Sequence, residues 1–242
     1  MRYLFISPHL DDVALSVGGI VNHLAKNNVD TQIWTFFSGS PKGSNLSDFA
    51  LSLHNRWKLT LDAPKIRRLE DRRACRILGA AYMHFNLPDC IYRRDRRGNP
   101  IVQEEVDLYQ PIPTSQQYLV NKIYSDILTS SLPEDIIVSP MAIGNHIDHR
   151  IIVAAIKQIS NRTILYYEDY PYIIKSQDSQ FDFSQLTPIK FALSEANVMI
   201  WHAAIAEYQS QISTFWKNKN SMKQEIIAFA DRGGGMNLWK LL

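Results

Sequence analysis

Short apolar runs alternate with amphipathic stretches along most of the chain, and the two periods are easy to separate. Tyr3 to Ile6 is a continuous apolar run that breaks at Ser7-Pro8. From about Asp12 to Asn27, Leu15, Ile20, Val21 and Leu24 recur at helical spacing. The stretch "TQIWTFFSG" is rich in aromatic and β-branched residues and predicts a strand. Residues 39–63 are polar and predict a long loop with a short helix. Pro64 then opens a basic helix, "PKIRRLEDRRACRILG", which Gly79 stops. "AYMHFNL" predicts a third strand, and residues 88–113, with their turns, charges and prolines, an excursion over the surface. "SQQYLVNKIYSDILTSSL" predicts a helix, "EDIIVSP" a short buried strand, "HIDHRIIVAAIKQI" a helix and "TILYYEDYPY" a strand. From about Ser194 a long helical pattern runs to "DRGGGMNLW", which is expected to be irregular at its three glycines.

Strands that are unbroken apolar runs, separated by helices, predict an α/β fold: a mostly parallel sheet with helices on both faces. In such sheets ligands bind beyond the carboxyl ends of the strands. A chain of 242 residues is expected to form one domain over residues 1–242. A small second domain after about Tyr172 finds no linker to support it. A net charge of +2 calls for neither a nucleic-acid nor a membrane partner. No apolar run approaches the ~20 residues that span a bilayer. Asp11 and Asp12 interrupt the only apolar stretch near the start, so no signal peptide is expected. Two cysteines, Cys75 and Cys90, fit a reducing cytoplasm and are expected in the core. Oligomeric state is not legible.

Candidate chemistry sits at two strand ends. After Ser7-Pro8, His9 and Asp12 are three residues apart at a helix start and share a face, with Asp11 between them. In "IIVSPMAIGNHIDHR" a strand ends at Ser139-Pro140, and His146 and His149 are again three apart at a helix start. If the two strands are neighbours, both sets meet at one sheet edge. Such groups suit a divalent metal, zinc best, with His9, Asp12 and His149 as ligands and an open position for water. Asp11 is then a carboxylate that can take a proton from water, and His146 an imidazole that can stabilise or protonate a tetrahedral species. Taken singly, an Asp-Asp pair is a helix cap and an HxxH spacing a surface or packed pair. The two together at like-terminated strands favour the metal. His23, His54, His84 and His202 have no such partner spacing and are expected to be structural.

"SPHLDD" with the later "NHIDH" resembles the LmbE-like, or GlcNAc-phosphatidylinositol de-N-acetylase, family of zinc-dependent amidohydrolases. The resemblance implies a Rossmann-like sheet, zinc on His9, Asp12 and His149, Asp11 as general base, His146 at the intermediate and Asp148 to orient His146. "RRLEDRRACRILGA", "LPDCIYR" and "EYQSQIS" resemble further family stretches, so the likeness extends over most of residues 1–215. Leu10 and Val13 stand where the family has Pro and Glu, so the support that Glu gives Asp12 is absent. The implied substrate is a small N-acetylated amino sugar, released as acetate and free amine. Arg68 and Asp89 are candidates for its hydroxyls and Arg93 for an anionic substituent. "YYEDYPY" offers rings for stacking, and loop 39–63 a lid. Two rival readings are a metal phosphoesterase, which commonly needs two metals ~4 Å apart and more carboxylates, and a non-catalytic sugar-binding protein, which would have no use for Asp11.

Overall fold

The computed structural model describes residues 1–43, 45–60, 62–175, 182–232 and 236–242. Five parallel strands form most of one sheet: β1 (Arg2–Ser7), β2 (Asp30–Thr35), β3 (Ala81–His84), β4 (Ile136–Pro140) and β5 (Thr163–Tyr167). The helices between them are α1 (Asp12–Lys26), α2 (Asp48–Arg56), α3 (Ala63–Leu78), α4 (Gln117–Ser130) and α5 (Ile147–Ile156). The remainder comprises α6 (Tyr172–Lys175), β6 (Leu186–Phe191), α7 (Glu195–Ile205), α8 (Gln209–Phe215), α9 (Lys219–Asp231) and β7 (Met236–Leu241). The strand order is β3-β2-β1-β4-β5-β7-β6.

That order positions the site. Strands step outward from β1 in one direction and from β4 in the other, so the order reverses between them. The crevice at this switch point, beyond the carboxyl ends, is where such sheets bind ligands. Phe5 lies opposite both Ile33 and Val138, which brings the ends of β1 and β4 side by side. The mostly parallel α/β sheet expected from the pattern, and the Rossmann-like arrangement implied by the resemblance, are the ones observed.

Side chains alternate across β1. Phe5 enters a core with α1, α3, α7 and α9, while Leu4 and Ile6 enter a second core with α4 and α5. Both faces are thus covered, which explains the unbroken apolar runs. Packing between α1 and α7 depends on Gly18 and Gly19. A Cβ on Gly18 would stand 2.5 Å from Trp201 Cδ1, and one on Gly19 2.5 Å from Leu193 Cδ1. The Trp201 indole donates to the Ala14 carbonyl at 2.6 Å.

The C-terminal third differs from expectation. The long helical pattern from Ser194 is three helices, because α8 and α9 each start anew after Tyr208 and Asn218. β6 and β7 were not anticipated. β7 runs antiparallel between β5 and β6, with Tyr166 opposite Trp239 and Pro188 also opposite Trp239. The three glycines expected to be irregular, residues 233–235, lie outside the described residues. Residues 88–113 are not merely a surface excursion, since Cys90 and Ile91 of the short 3-10 turn Cys90–Tyr92 are buried, and Glu105, Leu108 and Tyr109 of the turn Glu105–Tyr109 line the cavity at the site. No helix among the described residues is long and apolar enough to cross a membrane.

Candidate active site and metal centre

Each junction is held by its own hydrogen bonds. Ser7 Oγ donates to the His9 carbonyl at 2.6 Å and accepts from the Val13 amide at 3.2 Å. Asp12 Oδ2 accepts from the His9 amide at 2.7 Å, which closes the turn over α1. Asp11 takes φ 154°, ψ −29°, a region that non-glycine residues seldom occupy. After β4, Ala142, Gly144 and Asn145 all have positive φ. That turn delivers His146 as the cap of α5, where its Nδ1 accepts from the Asp148 amide at 3.2 Å.

The two turns bring their side chains together. Asp12 Oδ2 lies 3.3 Å from His9 Nδ1 and 3.3 Å from His149 Nε2. Ligand bonds of about 2.0–2.1 Å in tetrahedral geometry put neighbouring ligand atoms about 3.3 Å apart, so Asp12 Oδ2 is spaced from each of the two imidazoles as neighbouring zinc ligands are. Carboxylates fix the imidazole tautomers. His9 Nε2 donates to Asp148 Oδ2 at 3.0 Å, leaving the Nδ1 lone pair free. His149 Nδ1 donates to Asp169 Oδ1 at 2.7 Å, leaving Nε2, which is buried and without a hydrogen-bond partner. Carboxylate–histidine pairs of this kind orient metal ligands and raise their basicity. Ligand atoms of His9, His146 and His149 all lie within 4.8 Å of one another. Groupings through Asp148 also exist, but Asp148 Oδ1 is already ion-paired with Arg93.

Electrostatics point the same way. Burial alone would lower the pKa of His9, yet Asp89, Asp12 and Asp148 raise it well above the usual imidazole range. Burial likewise lowers His149, but Asp12 and Asp169 outweigh it and bring it to about 9. Asp12 is held well below the carboxylate range by His149 and His9 against the opposing effect of its burial. Buried carboxylates thus demand positive charge at the junction, which protons supply without an ion. Asp11 is pushed up to about 7, chiefly by burial and by Asp12, with Arg67 and His9 opposing. Burial and the neighbouring His9 and His149 depress His146 well below its ordinary value. It is therefore neutral, and because its Nδ1 accepts, its proton sits on Nε2.

A cavity of about 490 Å³ opens over these groups. His9, Asp11, Asp12, Asp89 and His146 form its floor, and Trp57, Tyr109, Tyr172 and Phe215 contribute ring surface. Leu53, Arg56 and Trp57, from α2 and its end, supply one wall, so the loop expected as a lid does border the site. Of the rings in "YYEDYPY", Tyr172 reaches the cavity, whereas Tyr167 and Tyr170 are buried in the core. Cys75 and Cys90 are both buried, as expected.

Three expected roles need correction. Arg68 does not line the cavity: it donates to the Ser38 carbonyl at 2.6 Å and to Ser40 Oγ at 3.3 Å. Its neighbour Arg67 takes the place at the site, 3.4 Å from Asp11 Oδ2 and 3.9 Å from Asp89 Oδ2, with its guanidinium over the Trp57 ring. One residue along a helix turns the side chain by about 100°, and Arg67 shares the buried stripe of α3 with Glu70, Asp71 and Ala74. Arg93 is buried, ion-paired with Asp148 and packed over Phe37, and it does not line this cavity. The Asp148 carboxylate orients His9 and accepts from the Cys90 amide at 3.0 Å, while only its backbone amide serves His146. Asp89 does line the cavity. Asp169 escaped the sequence reading, although it follows β5 at the same sheet edge as both junctions.

The family description PIG-L, GlcNAc-PI de-N-acetylase, matches residues 4–160, a span that contains both junctions. The chain belongs to the GlcNAc-PI de-N-acetylase family. Two curated relatives are 2′-N-acetylparomamine deacetylases. That of Niallia circulans is 25% identical over 225 residues, 87% of this chain and 80% of the relative. That of Streptomyces fradiae is 26% identical over 178 residues, 71% of this chain and 57% of the relative. Among solved structures, the zinc-inhibited form of a teicoplanin deacetylase superposes with a TM-score of 0.85 at 25% identity, over 100% of this chain and 98% of that one. The N,N′-diacetylchitobiose deacetylase of Pyrococcus horikoshii shares the fold, with a TM-score of 0.60 at 16% identity over 100% and 83% of the two chains. These relatives are deacetylases, and this member of the de-N-acetylase family is an enzyme of that hydrolase class.

Proposed function

We propose that the chain is a zinc-dependent de-N-acetylase that hydrolyses the acetamide of an N-acetylglucosamine-type amino sugar or its conjugate to acetate and a free amine. The observation that carries this is the meeting of three ligand atoms, His9 Nδ1, Asp12 Oδ2 and the unpartnered His149 Nε2, beside a carboxylate that none of them uses. His9, Asp12 and His149 would hold the zinc, which supplies Lewis acidity toward water and the amide carbonyl.

The chain's own groups do the rest. Asp11, buried at the cavity floor, takes the proton of the attacking water. Its basicity is set between burial, which raises it, and Arg67, which restrains it. His146 points an Nε2–H into the cavity, where it donates to and stabilises the oxyanion, and the proton that Asp11 took from water passes to the leaving nitrogen as the C–N bond breaks. Arg67 and Asp89, a donor and an acceptor flanking the floor, would take sugar hydroxyls. Trp57 and Tyr172 offer faces for the ring or its aglycone.

Acetate release from a panel of simple, nucleotide-linked and glycosidic N-acetylamino sugars tests the proposal. Asp11→Asn should keep one zinc per chain and lose about 10²–10⁴ in kcat, the usual worth of a general base. Undiminished turnover by Asp11→Asn would remove Asp11 as the base. Two tightly held metals per chain would favour a phosphoesterase.

A further inference from the structure

Helix α8 borders the cavity, and its Gln211, Thr214 and Phe215 line it. Gln211 is only 4% exposed, and a buried chain of hydrogen bonds dictates which way its amide faces. The chain begins at Glu70 on α3. Glu70 Oε1 accepts from the Ser210 amide at 2.9 Å, and Glu70 Oε2 accepts from the Ser210 hydroxyl at 2.6 Å. A hydroxyl has one proton, and Glu70 takes it. The 2.9 Å bond between Ser210 Oγ and Gln211 must therefore be donated by Gln211 Nε2. The amide oxygen is left over. No described residue donates to Gln211 Oε1, and the side chain lines the cavity. One turn further along, Thr214 Oγ1 is also without a partner.

We propose that Gln211 is a specificity-determining residue whose Oε1 accepts a hydrogen bond from one hydroxyl of the amino sugar, with Ser210 and Glu70 as positioning residues that prevent the amide from flipping. This rests on the de-N-acetylase reading and adds to it a requirement for one hydroxyl of the substrate. An ordinary rotatable amide could accept or donate. This one is restricted to accepting, so a sugar lacking that hydroxyl leaves a desolvated acceptor unpaired, which costs more than losing a contact in water.

The test compares wild type, Gln211→Met and Ser210→Ala on methyl N-acetyl-glucosaminide and its three monodeoxy forms at the ring and exocyclic hydroxyls. Wild type should lose about tenfold in kcat/KM on one deoxy form. Gln211→Met should lose about tenfold on the parent, mostly in KM, and treat that deoxy form and the parent alike. Ser210→Ala should fall between. Zinc content and thermal midpoint are read alongside, since a merely structural role would lower all four substrates together. Unchanged discrimination in Gln211→Met, or an unchanged kcat/KM on the parent, would overturn the proposal. If wild type turns over none of the four, the de-N-acetylase reading fails instead. The same comparison is then made by calorimetric binding of methyl glucosaminide and its deoxy forms, where equal affinities for wild type and Gln211→Met again overturn it.

Discussion

Replacing Asp169 by Asn removes one charge, preserves shape and tests the tautomer argument directly. Asp169 uses both oxygens: Oδ1 accepts from His149 Nδ1 at 2.7 Å and Oδ2 from the Ile143 amide at 2.9 Å. Asparagine has one acceptor oxygen and one NH₂ group. Whichever donor takes the oxygen, the other faces an N–H at a site that is 1% exposed. A buried donor left unpaired costs about 1–3 kcal/mol, and the thermal midpoint in chelator should fall accordingly. If Ile143 keeps the oxygen, the His149 ring loses the partner that holds its proton on Nδ1, and Nε2 is no longer reserved for metal. Loss of such a carboxylate partner typically weakens metal binding by about 10–100-fold, equivalent to about 1.4–2.8 kcal/mol. The assay is competition for zinc against a chromophoric chelator at fixed pH, for wild type and Asp169→Asn. Zinc affinity within twofold of wild type, in a variant that is destabilised without metal, would show Asp169 to be a packing group and refute the reasoning.

The other expectations are briefer. Arg67→Ala should lower kcat/KM by about tenfold or more through its lost contacts at the cavity floor, whereas Arg68→Ala should leave it within about threefold and cost about 1 kcal/mol of stability as the Ser38 carbonyl loses its donor; acetate-release kinetics and thermal melts separate the two. Gly18→Ala drives a methyl against the Trp201 ring and should cost about 1–3 kcal/mol in chemical denaturation, with no change in metal content. In the metal-free protein Asp11 should titrate near 7, where burial and Asp12 raise it. A bound cation favours the carboxylate, so zinc should move that titration to lower pH, and activity should be lost as pH falls through the lowered value. Carbon-detected NMR of Asp11 with and without zinc reads the direction, and an upward shift would contradict the assignment.

What could be read from the chain follows the range of the forces involved. β1 and β4 announce themselves because burial on both faces demands unbroken apolar runs, and the paired Ser-Pro junctions follow from those strands. β3, an exposed edge strand, was legible only from its place between two clear helix and turn signals. β6 could not be read this way. It lies at the sheet edge, carries Pro188 and is exposed over most of its length, so it has neither period nor apolar run. β7 begins just after three glycines in the sequence, and its place in the sheet depends on partners far away in sequence. In the site, residue types were legible but directions were not. The buried stripe of α3 would have favoured Arg67 over Arg68 had its 3.6-residue period been applied to charged positions as well as apolar ones. Arg93 lies in a run of charges, which conceals that one member turns inward to Asp148. Asp169 was hidden among aromatic residues, although a carboxylate just past a buried parallel strand is itself a signal.

The peptide geometry at Asp11 has a further consequence. A non-glycine residue held in so sparsely populated a region costs on the order of 1–3 kcal/mol, and glycine would sit there with far less strain. Considered only as a fold, this protein would be better off without a side chain at position 11. The turn is therefore a place where robustness and turnover pull in opposite directions: selecting variants for heat resistance alone should lead toward an inert enzyme that still grips its metal.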